Sequence, residues 1–264
     1  MLILLYKDLQ IGGIMKEILN TVCDIGEQML CSGAEVHRVE DSVQRMCKAI
    51  GASRADVFII TSSMIVTVYT ADEKSYTQTR RILSISTDLE RLHRMNALCR
   101  RVCAGMELSE IRAEYSEIMS AKGYPSWLEF PVYGAIGGAF AIFFGGGLIE
   151  GAVAFLVGVA LRVVVALTDR ATLGRIFCRF ACSFAASLLA HIFFKLGLIP
   201  VVDHVIIGNI MVLIPGIGLT NAIRDLIVGD SIAGLLRAIE AVLIALAIAA
   251  GHFLFITLFG GVLL

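Results

Sequence analysis

Apolar residues recur at helical steps through the first third of the chain and merge into long uncharged runs in the second half. Ile18, Val22, Ile25 and Met29 fall three or four residues apart, the period of a helix with one buried face, and Ser32-Gly33 is placed to end it. Val36, Val39, Val43, Met46 and Ile50 form a second stripe, flanked at helical pair spacing by Glu35, Arg38, Asp41 and Arg45 and stopped by Gly51. Residues 56–61 and 64–69 are short and rich in β-branched and aromatic side chains. They predict two strands, paired as a hairpin around Ser62-Ser63, with a third strand near residues 75–79. Beyond Asp88, the residues Leu89, Leu92, Cys99 and Met106 mark an amphipathic helix whose other face carries Arg91, Arg94, Arg100 and Arg101. That basic face is either simply solvated or rests on anionic headgroups. A short helix over residues 110–122 ends at Gly123-Tyr124-Pro125.

The pattern then changes. Trp127, Phe130 and Tyr133 precede an uncharged run in the manner of an aromatic belt at a membrane interface. Residues 131–149 are long enough, at about 1.5 Å per residue, to cross a hydrocarbon core of roughly 30 Å. Further spans are expected over 152–168, 176–196, 198–225 and 237–259, the fourth broken at 215–218. The predicted fold is therefore an α-helical membrane protein with five transmembrane helices, preceded by a small cytoplasmic α+β domain. The boundaries are 15–125 for the soluble domain and 126–264 for the membrane domain.

Composition agrees: 57% of residues are hydrophobic, and residues 1–130 hold 32 of the 45 Asp, Glu, Lys and Arg residues. The net charge of −1 and the scattered basic residues give no reason to expect a nucleic-acid partner. Seven cysteines without a CxxC pair or a His-rich context favour reduced packing residues over a disulfide frame or a zinc site. The opening run is too short for a signal-peptide core, and Met15 is a natural alternative start, which makes residues 1–14 a candidate mis-assigned extension. With the soluble domain inside, Arg170, Arg175, Arg179, Arg224 and Arg237 fall at cytoplasmic ends and only Lys195 outside, which predicts a plasma-membrane protein with its C-terminus outside.

The break in the fourth span suggests a mechanism. Pro215 supplies no N–H and frees the carbonyl of Met211, and Gly216 and Gly218 allow the backbone to unwind. Thr220 or Asn221 can then cap a second half-helix, whose unpaired N–H groups and positive dipole end would seat a cargo carboxylate. A simple packing kink at Pro215 is the competing interpretation. Arg224 and Asp225 either serve the cargo or anchor the helix at the headgroups. Glu150, Asp203 and His204 fit wet turn positions better than a proton relay, and His191 and His252 fit helix packing.

Three segments, Ser32-Gly-Ala-Glu35-Val-His-Arg38-Val-Glu40-Asp41, Phe144-Gly-Gly-Gly-Leu-Ile-Glu150 and the run from Pro215 to Asp230 with its Asn221-Ala-Ile-Arg-Asp225 core, resemble the threonine/serine exporter (ThrE) family. The resemblance covers nearly the whole chain from Met15. It implies export of threonine and serine, or of dicarboxylates such as succinate in split members. It also implies that this chain is the larger subunit of the split form, with a separate small multi-span membrane protein supplying the second half, and higher oligomers as a further option. If that half is inverted, the two breaks would meet at the midplane. Leu148 and Glu150 depart from the aspartate and aromatic residue common around this glycine turn in the family; Glu150, the candidate proton-linked residue, keeps the acid chemistry with a changed reach.

Ser32 and Glu35 also have the Ser-x-x-Glu spacing of a capping box for the second helix. The functional alternative puts Ser32, Glu35, Arg38 and Glu40 on a cytoplasmic vestibule that selects cargo. No nucleotide-binding motif, cofactor or metal site is expected. Two other functions compete with export: a membrane-anchored metabolite sensor, which leaves the Pro-Gly break unexplained, and a membrane-tethered hydrolase using Ser32 or a cysteine with His37 or His93, for which no Gly-x-Ser-x-Gly elbow exists.

Overall fold

The computed structural model describes residues 2–171 and 173–263, with the side chains of residues 13, 15–171 and 173–260. Residues 2–14 continue the first helix in their backbone; apart from Gly13 their side chains lie outside the described residues, as does Met1. The chain divides into two units, Met1–Lys122 with Gly218–Ala238, and Gly123–Ile217 with Ile239–Leu264.

In the first unit the order is α1 (Leu2–Cys31), α2 (Val36–Ala49), β1 (Arg54–Ile60), β2 (Ser63–Tyr69), β3 (Ser75–Arg81), α3 (Leu89–Cys103) and α4 (Leu108–Ser120). The strands form an antiparallel meander in the order β1-β2-β3, with Val57 opposite Val66 and Val66 opposite Gln78. Met64, Val66 and Val68 alternate into the core, where the apolar stripes of α1 and α2 meet them. Gly26 sits where α1 and α2 approach most closely, since a Cβ there would lie 2.6 Å from the Val43 side chain. On α3 the buried face is Met95, Leu98, Cys99 and Val102, whereas Leu89, expected on the stripe, is exposed. The cause is local: Asp88 caps the helix by accepting the Arg91 amide at 2.9 Å, so Leu89 opens the first turn ahead of the packed face.

The second unit holds α5 (Glu129–Phe143), α6 (Leu148–Arg170), α7 (Arg175–Lys195) and α8 (Val202–Leu213). The chain goes on through α9 (Gly216–Val228) and α10 (Ser231–Leu263), which the two units share. A single 3-10 turn, Ser126–Leu128, leads into α5. Glycines pack α5 against its neighbours: a Cβ on Gly158 would lie 2.6 Å from the Tyr133 carbonyl, and one on Gly208 2.5 Å from that of Gly137.

Among the described residues three helices, α6, α7 and α10, are long and apolar enough to cross a membrane, and the α8–α9 pair, bent by 54°, makes a fourth if it counts as one span. The fifth expected span is not among these, because α5 has 15 residues and reaches about 22 Å. The glycine turn sets this limit: Gly145 has a φ of +103°, which ends α5 at Phe143, and Leu148 already belongs to the next helix.

Candidate functional site

The signature segment on α9 is joined to the α1–α2 connection inside the first unit. That connection is a tight turn. Gly33, at φ +97°, donates its amide to Leu30, and Ala34 donates to Met29, which closes the end of α1. Ser86 and Asp88 donate their amides to the carbonyls of Cys31 and Ser32, so the strand-to-α3 linker holds the turn from the other side. A Cβ on Gly33 would lie 2.9 Å from the Ser86 carbonyl.

Three side chains reach this turn from α9 and α10. Asn221 Nδ2 donates to the Gly33 carbonyl at 3.1 Å, and Arg237 donates to the Ala34 carbonyl at 3.0 Å. Arg224 donates to the Glu35 carboxylate at 2.8 Å, with the arginine side chain 60% exposed and the glutamate 14%. The next residue, Asp225, is 1% exposed and faces Arg237 at 3.5 Å. Two carbonyls of this glycine turn are thus satisfied by donors 188 and 203 residues away in sequence.

Two expectations about this region are corrected. Ser32 and Glu35 do not form a capping box: α2 starts at Val36 with Glu35 at its N-cap and no side-chain cap bond, because Arg224 takes the Glu35 carboxylate and Ser32 is 1% exposed in the turn. Thr220 and Asn221 do not cap a half-helix either. Pro215 forces Ile214 into an extended conformation, ψ 129°, and α9 begins at once with Gly216, so Gly216 and Gly218 lie in its first turn.

The remaining predicted residues part company. Glu40 accepts the Ile59 amide at 2.9 Å. Burial pushes its carboxyl above the usual value, the Ile59 bond opposes this, and nearby Asp230 and Asp225 add to the rise. His37, Glu40 and Asp230 offer ligand atoms within 4.8 Å of one another, a nitrogen and oxygen set that could hold a divalent ion. Arg38 is exposed and turns away toward α3.

Glu150, expected as a wet turn residue, is 6% exposed and accepts the Gly147 amide at 3.1 Å, because it stands at the third position of α6 where free amides need an acceptor. Arg237 and Asp230 escaped the sequence reading as site residues. A buried arginine on an apolar helix was the available signal for the first.

Residues 20–259 match the threonine/serine exporter family, ThrE. A threonine/serine exporter of Corynebacterium glutamicum is 24% identical over 252 residues, covering 92% of this chain and 50% of that protein. The chain therefore spans about half the length of the curated relative it matches. No solved structure matches it significantly.

Proposed function

The chain belongs to the threonine/serine exporter family, and from that premise we propose that it is one subunit of a secondary exporter of small amino or carboxylic acids, threonine and serine or a dicarboxylate such as succinate. It is a multi-pass membrane protein. In this proposal it crosses the membrane five times, with the soluble unit in the cytoplasm. A small multi-span membrane protein supplies the other half of the route.

The observation that carries the proposal is the placement of the family signature. Asn221, Arg224 and Asp225 lie on a helix that starts at a proline break inside an apolar pair, and Asn221 and Arg224 grip the turn at Ser32–Glu35. A broken helix offers first-turn amides and a positive dipole end to a carboxylate. The cargo carboxylate binds at the start of α9, next to Gly216 and Gly218, and the Arg224–Glu35 pair ties that helix to the α1–α2 turn.

The test is efflux from cells loaded with a threonine-containing dipeptide or with succinate, comparing this chain alone with this chain plus its small membrane partner. Efflux only with both is the expected result. Efflux by the chain alone would overturn the two-subunit form, and none with both proteins verified in the membrane would overturn export and favour the sensor reading.

A further inference from the structure

The charges on α2 and α3 concentrate at one place. Of the four arginines on α3, Arg91 pairs with Asp88 at 3.5 Å, Arg94 with Glu90 at 2.9 Å, and Arg101 with Glu114. Arg100 has no acidic partner among the described residues, and neither has Arg38 on α2. These two line the same cavity of about 300 Å³.

The cavity is built by two helix faces. Arg38, Ser42 and Arg45 recur at steps of four and three on α2, and Asn96, Arg100 and Cys103 do the same on α3, so each set lies on one side of its helix. Buried Cys99, whose Sγ lies 3.9 Å from the Ser42 carbonyl, holds the two helices together beneath it. The lining carries three guanidinium groups and one carboxylate, Asp41, which Arg45 already engages at 2.9 Å. Two positive charges are left uncompensated. Guanidinium forks suit carboxylate or phosphate oxygens, and the Asn96 amide and Ser42 hydroxyl add neutral polar groups that can fix orientation.

We propose that this cavity binds a small dianion, a dicarboxylate or inorganic phosphate, held between Arg38 and Arg100. The site is separate from the Asn221–Arg224 contact and does not depend on the export proposal. It makes the soluble unit a ligand-binding domain in its own right. It also accounts for the basic face of α3, whose other three arginines are neutralised within the protein.

Cys103 provides the readout, being exposed at the cavity edge. Burial pushes the Cys99 thiol up to about 11, so a neutral-pH maleimide discriminates against it. The full chain in detergent would be labelled in chloride, succinate or phosphate at matched ionic strength, with Cys103→Ser defining the Cys103 signal. At a ligand concentration about ten times Kd, labelling should slow roughly tenfold in succinate, phosphate or both, and the responding anion names the ligand. Arg38→Gln and Arg100→Gln should each abolish the protection, read as the ratio of each variant's rate in the ligand to its own rate in chloride. Equal rates in all three salts, protection that survives both substitutions, or protection only by anionic lipid vesicles would overturn the proposal.

Discussion

At the residue scale, the contact between α9 and the α1–α2 turn contains two ion pairs of opposite character. Arg224 is largely exposed, and a pair of that kind contributes about 0–1 kcal/mol to stability. Asp225 and Arg237 are buried together, and removing one partner of a buried pair costs about 3–5 kcal/mol because the other charge is left without compensation. Arg224→Gln should therefore melt in detergent close to the wild-type midpoint, yet lose export. Asp225→Ala should melt well below it. Unchanged export in the first variant would take Arg224 out of the mechanism, and an unchanged midpoint in the second would remove the buried pair from the account of stability. The sequence named Asn221, Arg224 and Asp225 together, but it could not show that their partners are the Gly33 carbonyl, Glu35 and Arg237. Local spacing misled at Ser32 and Glu35 for the same reason: a carboxylate three residues after a serine fits a capping box until a distant arginine competes for it.

At the element scale, the α9–α10 hairpin turns at Gly229, φ +108°, and closes at Gly234, where a Cβ would lie 2.8 Å from the Leu226 amide nitrogen and 2.9 Å from the Ala222 carbonyl. Alanine at a helix interior gains about 1 kcal/mol over glycine, but overpacking against backbone costs about 1–3 kcal/mol. Gly234→Ala should lower the thermal midpoint despite its better helix propensity. Gly216 is the contrast, since nothing lies within 4 Å of a Cβ placed there. Gly216→Ala should leave the midpoint within about 0.5 kcal/mol of wild type and weaken export, because a methyl group would crowd a carboxylate approaching the first turn. Full export by Gly216→Ala would move the cargo site off the start of α9. The strands and the buried face of α2 were legible because alternation and period need only neighbouring residues. The start of α9 was not, because Thr220-Asn221 looks like a cap and only the conformation of Ile214 shows that Pro215 had already opened the helix.

For the whole molecule, α5 and the bent α8–α9 pair together decide the parity of the crossings. Its first residue, Glu129, bonds Arg162 at 2.6 Å, and the arginine also lies 5.7 Å from the Phe130 ring. Arg162 stands eight residues before the end of α6 at Arg170, about 12 Å along its axis, so α5 covers only the first two thirds of α6. The rest of a hydrocarbon core of roughly 30 Å must be met by residues 123–128, whose exposed Tyr124 and Trp127 suit an interface. The ion pair neutralises the one charge in the middle of α6, which removes the main objection to α5 lying at membrane depth. If α5 and the α8–α9 pair both cross, the number is five and the chain ends lie on opposite faces, with Arg170, Arg175 and Arg179 inside and Lys195 outside. Reporter fusions after residue 122 and after residue 264, one active only in the cytoplasm and the other only outside, should give opposite signals at the two positions. The same signal at both would mean that α5 stays in the interface or that the bent pair returns to the side it entered from. Glu129→Ala separates these two cases. Equal signals that Glu129→Ala turns opposite mean that α5 crosses, held by the pair with Arg162, and that the bent pair returns, whereas equal signals that persist mean that α5 stays in the interface.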